Sequence, residues 1–335
     1  MDTGVPVRWG ILGTAGIADG AFLPALAEVG GGEAVVVASR DGARAAIWAT
    51  RHGVGAGVEG YRTVIDDPRV EAVYIPLPNG LHAEWTIAAL EAGKAVFCEK
   101  PLCATPEETA RVLAVAAGAP GPLWEAFVFP FHDQMQRVHT LLAEGAIGEV
   151  REVSSRFHFS LDDPEDVRLL ASLSGGSTQD VGCYPIRLAR LVFAAEPEPG
   201  GAIADAVWGD GVDLELWGAL RFPGGRRLVL SCGFRSGSDT GTRLLGTEGE
   251  IRMTNPFHPE VGDTLEIVRD GEVVASEPAA PGGEHSFSPA IQHIHRVLRG
   301  LEPPRHLAID EAAGNAAGIA ALLGAAGSTG PAPLE

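Results

Sequence analysis

The spacing of apolar and polar residues changes rhythm once along the chain. Over the first 125 residues, short apolar runs alternate with helical periodicities. Val7–Leu12 reads as a strand ending at a glycine, followed by a helix through Ala27. Residues 33–39 (EAVVVAS) are β-branched and bounded by glycines, a buried-strand pattern. A helix follows over 41–52, then a strand over 72–76 and a helix over 83–92 stopped by Gly93. Next come a strand at Ala95–Cys98 and a helix over 106–117, with Thr105 as N-cap and proline in its first position. Strands alternating with helices of this length predict a parallel sheet with right-handed crossovers, the doubly wound plan.

After an apolar run at 123–127 the pattern changes. Residues 131–144 are helical, 149–161 long, extended and alternating, and 178–194 an apolar-periodic helix. Strand patterns follow at 202–208, 212–222, 226–234, 242–246, 249–253, 263–269 and 272–277. Leu214, Leu216, Leu220 and Phe222 share one face of their strand, as do Leu228, Leu230, Cys232 and Phe234. Consecutive strands without intervening helices predict an antiparallel sheet with one face left to cover. Helices over 288–299 and 310–323 close the chain. The expected architecture is α/β: an N-terminal Rossmann domain over 1–125 and a C-terminal α+β domain over 126–335, built on a large, mostly antiparallel open sheet.

Composition adds exclusions. A length of 335 residues suits two cores, and 45% hydrophobic with 21% charged residues excludes wholesale disorder. With 44 acidic against 25 basic residues, the net charge of −19 argues against nucleic acid or an anionic membrane as main partner. No apolar run reaches the length of a membrane span, and the first residues lack the basic and apolar regions of a signal peptide. Cys98, Cys103, Cys183 and Cys232 show no CxxC spacing and read as small buried apolar residues in a reducing compartment, so a cytoplasmic location is expected. His293 and His295 would diverge on a helix, and no metal site is expected. Two of the 25 basic residues, Lys94 and Lys100, are lysine; the rest are arginine.

Candidate chemistry begins at Gly13-Thr14-Ala15-Gly16-Ile17-Ala18, which follows the first strand and opens a helix. As G-x-G-x-x-[GA] it has Gly13 for the tight turn, Ala15 in place of the second glycine and Ala18 third, aiming a helix N-terminus at a pyrophosphate. At the tip of the second strand, where a ribose reader would carry Asp or Glu, stand Ser39 and Arg40, a hydroxyl and a guanidinium suited to a 2′-phosphate. Asp41 next door offers a ribose contact instead; the pair before it favours NADP over NAD. Cys98-Glu99-Lys100-Pro101 ends a parallel strand at the sheet's carboxyl edge, and Pro101 keeps Lys100 extended. An ammonium there can stabilise a developing alkoxide.

These residues, with Pro78-Asn79, Leu81-His82-Ala83, Ala92-Gly93-Lys94 and Glu99-Lys100-Pro101, resemble the glucose–fructose oxidoreductase/inositol dehydrogenase (Gfo/Idh/MocA) family. The likeness continues through Gly175-Gly176, Asp180-Val181-Gly182-Cys183-Tyr184-Pro185, Gly246-Thr247-Glu248-Gly249 and Pro256-Phe257. Trp124-Glu125-Ala126-Phe127 and Tyr184 resemble the branch of aldose dehydrogenases and dimeric dihydrodiol dehydrogenases, whose members typically use NADP. The resemblance implies an oxidoreductase moving hydride between nicotinamide and a hydroxyl or carbonyl carbon of a sugar or cyclic polyol. A ketosugar reductase and a catalytically silent cofactor-binding regulator of the same fold are the alternatives.

Cofactor contacts are expected from Gly13, Thr14, Ala15, Ile17, Ser39, Arg40 and Lys100; the resemblance implies further contacts from Pro76, Leu77, Asn79, His82, Glu99 and Arg168. Asp180 and Tyr184, four apart on one predicted helix, share a face. Tyr184 is expected to take the proton of a sugar hydroxyl, Lys100 to lower the tyrosine pKa and hold that hydroxyl, and Asp180 to orient substrate or lysine. Two stretches depart from the branch pattern. Residues 129–133 read Phe-Pro-Phe-His-Asp where an arginine commonly precedes Phe-His-Pro, and 170–178 lacks the usual Asp-Pro before the glycines. A half-apolar sheet face predicts a homodimer or homotetramer packed through the C-terminal sheet.

Overall fold

A computed structural model describes residues 4–280, 282 and 285–327. The chain divides into two compact units, Met1–Phe131 with Glu284–Ala313, and His132–Gly283 with Gly314–Glu335.

The first unit is a six-stranded parallel sheet: β1 (Val7–Leu12), β2 (Gly32–Ser39), β3 (Gly57–Glu59), β4 (Ala72–Ile75), β5 (Ala95–Cys98) and β6 (Leu123–Glu125), in spatial order β3-β2-β1-β4-β5-β6. Order reversal beside β1 makes the doubly wound plan, with a switch point at the carboxyl edge. The connecting helices are α1 (Leu23–Val29), α2 (Gly42–His52), α3 (Tyr61–Ile65), α4 (Asn79–Glu91) and α5 (Pro106–Ala116). Period-two alternation divides the strands between two cores. Trp9, Ile11, Tyr74 and Phe97 face one side, and Val36, Val73, Ile75 and Val96 face the other, where α3 to α5 cover them. The short β3 and α3 are additions to the sequence reading. A Cβ on Gly57 would stand 2.2 Å from the Ala45 carbonyl, so β3 exists only where glycine lets α2 approach.

The aromatic core of this unit is closed by a late segment. After β6 the chain leaves, and it returns as α8 (Ser288–Leu298), which packs Ile291 and Ile294, with the preceding Phe287, against Trp9 and Phe97. Trp9 Nε1 donates to His295 Nε2 at 3.0 Å, and the Arg299 guanidinium reaches Glu71 and the Pro6 carbonyl. The division at residue 125 therefore differs from the observed units: residues 284–313 belong with the first. The physical reason is nonlocal. One face of the sheet has too few helices between its own strands to bury Trp9, Tyr74 and Phe97.

The second unit holds α6 (Asp133–Ala143), β7 (Val150–Ser160), α7 (Cys183–Phe193) and a run of strands: β8 (Ala202–Gly209), β9 (Val212–Phe222), β10 (Arg226–Gly233), β11 (Arg235–Gly246), β12 (Glu250–Met253), β13 (Thr264–Arg269) and β14 (Glu272–Pro278). The eight strands lie in order β14-β13-β12-β11-β7-β10-β9-β8. β7 and β10 run parallel, and every other neighbouring pair is antiparallel. Leu216, Leu220, Leu228, Leu230 and Cys232 are buried on the face toward α7, while Ile203, Trp217 and Val229 are exposed on the other. β11 is longer than its apolar stretch because pairing with β7, across an irregularity between Arg235 and Asp239, extends its polar first half. The last helix, α9 (Ala308–Ala325), begins in the first unit and ends in the second. No helix among the described residues is long and apolar enough to cross a membrane.

Candidate active site

At the end of β1 the backbone turns through Gly13, whose φ is 105° and whose N–H donates to the Ala38 carbonyl at 2.8 Å. A Cβ there would stand 3.1 Å from the Leu77 side chain, so glycine serves both conformation and close packing. Ala18 N donates to Ala15 O at 2.9 Å, closing the turn, and a π-helical turn over Ala18–Phe22 leads into α1. Thr14 and Ala15 are half-buried and Ile17 is exposed at this helix opening. The widened turn has a local cause: Pro24 lacks an N–H, and its ring would crowd the Gly20 carbonyl in a regular helix.

At the tip of β2 the one carboxylate is committed to the following helix. The Asp41 carboxylate caps α2, accepting from Ala43 N at 2.9 Å and Arg44 N at 3.1 Å. What remains is cationic: Arg40 exposed at the strand end, and Arg44, whose Nε donates to Thr14 Oγ1 at 3.0 Å. The Tyr61 phenol, pushed up in pKa by burial, lies within electrostatic reach of both guanidinium groups. Ser39, Arg40, Arg44 and Thr14 form a donor set that fits a 2′-phosphate. Arg44 and Tyr61 escaped the sequence reading. Arg44 shows there as a first-turn arginine following Arg40, but nothing local ties Tyr61 to it.

Along the carboxyl edge, Pro76, Leu77 and Pro78 lead from β4 into α4, which opens at Asn79. His82 is fully buried, with Nδ1 2.8 Å from the Pro101 carbonyl and Nε2 2.7 Å from the Leu77 carbonyl. Burial pushes its pKa down. Its two ring nitrogens face the Leu77 loop and the Lys100-Pro101 turn, and the single N–H of the neutral ring donates to one of these carbonyls at a time. Glu99 is buried, its Oε1 accepting from Tyr74 Oη at 2.7 Å and its Oε2 from Lys100 N at 3.3 Å. The Lys100–Pro101 peptide is cis, and the next residue is held by Glu125, whose Oε1 accepts from Leu102 N at 2.7 Å. Lys100 is half-buried at the sheet edge. The other lysine is differently placed: Lys94 Nζ donates to the Asp67 and Val70 carbonyls at 3.0 and 2.8 Å, tying two loops together.

In the second unit, Asp180 lies in a π-helical turn over Thr178–Gly182 that continues into α7, where Tyr184 is the second residue. Pro185 accounts for this turn as Pro24 does for the other, its ring opposing the Val181 carbonyl. Arg168 Nε donates to Asp180 Oδ2 at 2.9 Å, and the Asp180 charge raises the guanidinium pKa. The arginine expected near the cofactor thus pairs with the candidate catalytic aspartate. Tyr184 is 4% exposed, lies 5.4 and 5.0 Å, ring to ring, from Phe157 and Phe257, and has its hydroxyl 3.2 Å from His258 Nε2. His258 was missed, although it directly follows the Pro256-Phe257 pair that carried part of the resemblance.

All four cysteines are free and buried, and burial raises the Cys103 and Cys232 thiols to about 12, which keeps these two protonated and inert. No metal-binding group of His, Cys, Asp or Glu occurs among the described residues.

The family model described as an oxidoreductase family with NAD-binding Rossmann fold matches residues 7–127, and the GFO/IDH/MocA C-terminal domain model matches 135–252. The chain belongs to the Gfo/Idh/MocA family. Among its relatives, an uncharacterized oxidoreductase of Rhizobium meliloti is 40% identical over 86% of this chain and 85% of its own. An NADP⁺-dependent D-xylose 1-dehydrogenase of Haloferax volcanii is 36% identical over 89% and 91%. The crystal structure of KijD10, a 3-ketoreductase from Actinomadura kijaniata in complex with NADP and TDP-benzene, superposes with a TM-score of 0.87. It is 32% identical and covers 96% of this chain and 98% of that one. The two-sheet plan of this Gfo/Idh/MocA protein is therefore shared over nearly its whole length.

Proposed function

We propose that this NADP-dependent oxidoreductase transfers hydride between nicotinamide and a hydroxyl or carbonyl carbon of a sugar or cyclic polyol. The observation that carries the reading is Tyr184: a buried phenol in an aromatic cage, its hydroxyl bonded to an imidazole, one helical turn from the Arg168–Asp180 pair. NADP, when bound, supplies the hydride carrier. Gly13, Thr14, Ala15 and Ile17 receive the pyrophosphate end, and Ser39, Arg40 and Arg44 the 2′-phosphate. The Leu77 loop, Asn79, Glu99 and Lys100 border the rest of the cofactor, with His82 bracing that loop. Lys100 contributes positive charge for an oxygen gaining negative charge. Tyr184 moves the hydroxyl proton, with His258 as its hydrogen-bonding partner. Asp180, fixed by Arg168, orients the substrate.

Titrating NADPH fluorescence and then following absorbance at 340 nm against aldoses and diols, in both directions and with both cofactors, tests the reading. Tyr184→Phe and Lys100→Met are each expected to lower turnover by at least tenfold; unchanged turnover in both refutes the assigned roles. Reduction of a ketosugar is the second reading, supported by the likeness to the Actinomadura 3-ketoreductase, and turnover only in the reductive direction selects it. Cofactor binding without turnover on any substrate selects a regulator instead. A homodimer or homotetramer packed through the exposed sheet face of Ile203, Trp217 and Val229 belongs to the same proposal, as does a cytoplasmic location suited to four free thiols.

A further inference from the structure

We propose that Asp213 is a positioning residue for the reaction, its carboxylate pinning the first turn of the helix that presents Asp180 and Tyr184. The inference rests on the assignment of those two residues to the chemistry. Asp213 is the second residue of β9 and is 2% exposed. Its Oδ2 accepts three hydrogen bonds of 2.7 Å each, from Ser177 Oγ, Thr178 N and Thr178 Oγ1. The bond from Thr178 N performs the work of an N-cap from a distant strand. Ser177, at the capping position, already has helical angles and makes no capping bond of its own. A carboxylate at that end also meets the positive pole of the helix.

The opposite side of the same turn is equally fixed. Gly176 N donates to the Arg168 carbonyl at 2.8 Å, and Asp180 N donates to Gly176 O at 3.0 Å. A Cβ on Gly175 would stand 2.2 Å from the Arg168 carbonyl oxygen, and one on Gly176, whose φ is 115°, would stand 2.3 Å from Asp213 Oδ1. The glycine pair is thus the thin place where backbone threads between the Arg168 backbone and the Asp213 carboxylate. Arg168 is the residue whose guanidinium holds Asp180. A shift of Asp213 therefore moves Ser177 and Thr178, and with them the Arg168–Asp180 pair and the helix bearing Tyr184. The partners of Asp213 among the described residues are neutral donors, and burial works against its charge. A buried carboxylate without a cation is a costly way merely to hold a strand.

The chain has three tyrosines, Tyr61, Tyr74 and Tyr184. Labelling their ζ carbons with ¹³C therefore gives three resonances, with Tyr184 identified by its loss in Tyr184→Phe. Asp213→Ala removes the Oδ2 acceptor and with it all three hydrogen bonds from Ser177 and Thr178. We expect it to shift or split the Tyr184 resonance while Tyr61 and Tyr74, in the other unit, stay in place. On the substrate found by the screen, kcat should fall by about ten- to a hundredfold, the cost of a small misplacement of reacting groups, with KM for NADPH unchanged within twofold. Ser177→Ala removes one of the three bonds, is expected to give a smaller shift, and carries the test if Asp213→Ala does not fold. An unmoved Tyr184 resonance with kcat within twofold of the parent overturns the proposal. The resonance is read without substrate, so normal turnover in Tyr184→Phe would refute the chemistry while leaving the positioning result to stand or fall separately.

Discussion

Arg40 and Arg44, proposed above to meet the cofactor's 2′-phosphate, differ in how they are held. Arg44 is tethered through Thr14 to the loop that follows β1, so its charge is pre-placed; Arg40 is exposed. A charge-assisted hydrogen bond contributes about 1.5–3 kcal/mol, roughly ten- to a hundredfold in affinity. Arg44→Ala is expected to raise the NADPH dissociation constant by that factor and leave NADH within twofold, measured by fluorescence titration. The place of Ser39-Arg40 at the end of β2 is legible in the sequence, because a strand tip is a local pattern. The role of Asp41 is not, because only the path of α2 shows its carboxylate spent on Ala43 and Arg44. Tyr61, His258 and Asp213 stayed hidden for the same reason: each acts on a residue brought near by the fold, with no fixed spacing to announce it.

Among elements, α8 is the one whose role the sequence concealed. Its periodicity marks it plainly as a helix, but periodicity does not say which sheet a helix covers. Ile291 and Ile294 are buried beside Trp9, Ala18 and Phe97, and Ile291→Ala is expected to cost about 2–5 kcal/mol of unfolding free energy. His295 gives the same helix a dependence on pH. Burial lowers its pKa to about 4, against about 6.5 in an unfolded chain. As pH falls below 6.5 the unfolded chain takes up a proton that the folded one refuses until about pH 4. Stability is therefore full above pH 6.5 and declines progressively between those values, by up to about 3 kcal/mol from this residue. Urea unfolding at pH 7.5 and pH 5 measures the decline, and His295→Gln is expected to flatten it. The two π-helical turns were also unreadable as such, although each has its proline in plain view; Pro24 and Pro185 announce a disturbance without specifying a widened turn.

For the molecule as a whole, a net charge of −19 means that no general field draws in a polyanionic cofactor. In the proposed site attraction is local, from helix N–H groups and the Arg40–Arg44 pair, so NADPH affinity is expected to weaken with salt. The exposed face of the eight-stranded sheet makes a separate prediction. Trp217 is 48% exposed, with Ile203 and Val229 nearby on paired strands. Trp217→Glu is expected to convert an oligomer to monomer at micromolar concentration, measured by light scattering, with little effect on NADPH binding.

The return of α8 to the first sheet also has a meaning for the order in which the protein can be made. β6 ends at Glu125, yet the helix that seals Trp9 and Phe97 begins only at Ser288. A ribosome delivering this chain completes all six parallel strands long before α8, part of the cover of one face, is synthesised. The nascent nucleotide-binding sheet must wait, with an aromatic face exposed, while the whole eight-stranded sheet is translated. A fragment ending at Phe131 is thus expected to aggregate, and a truncation that looks natural from the order of motifs would cut away part of the first unit's own core.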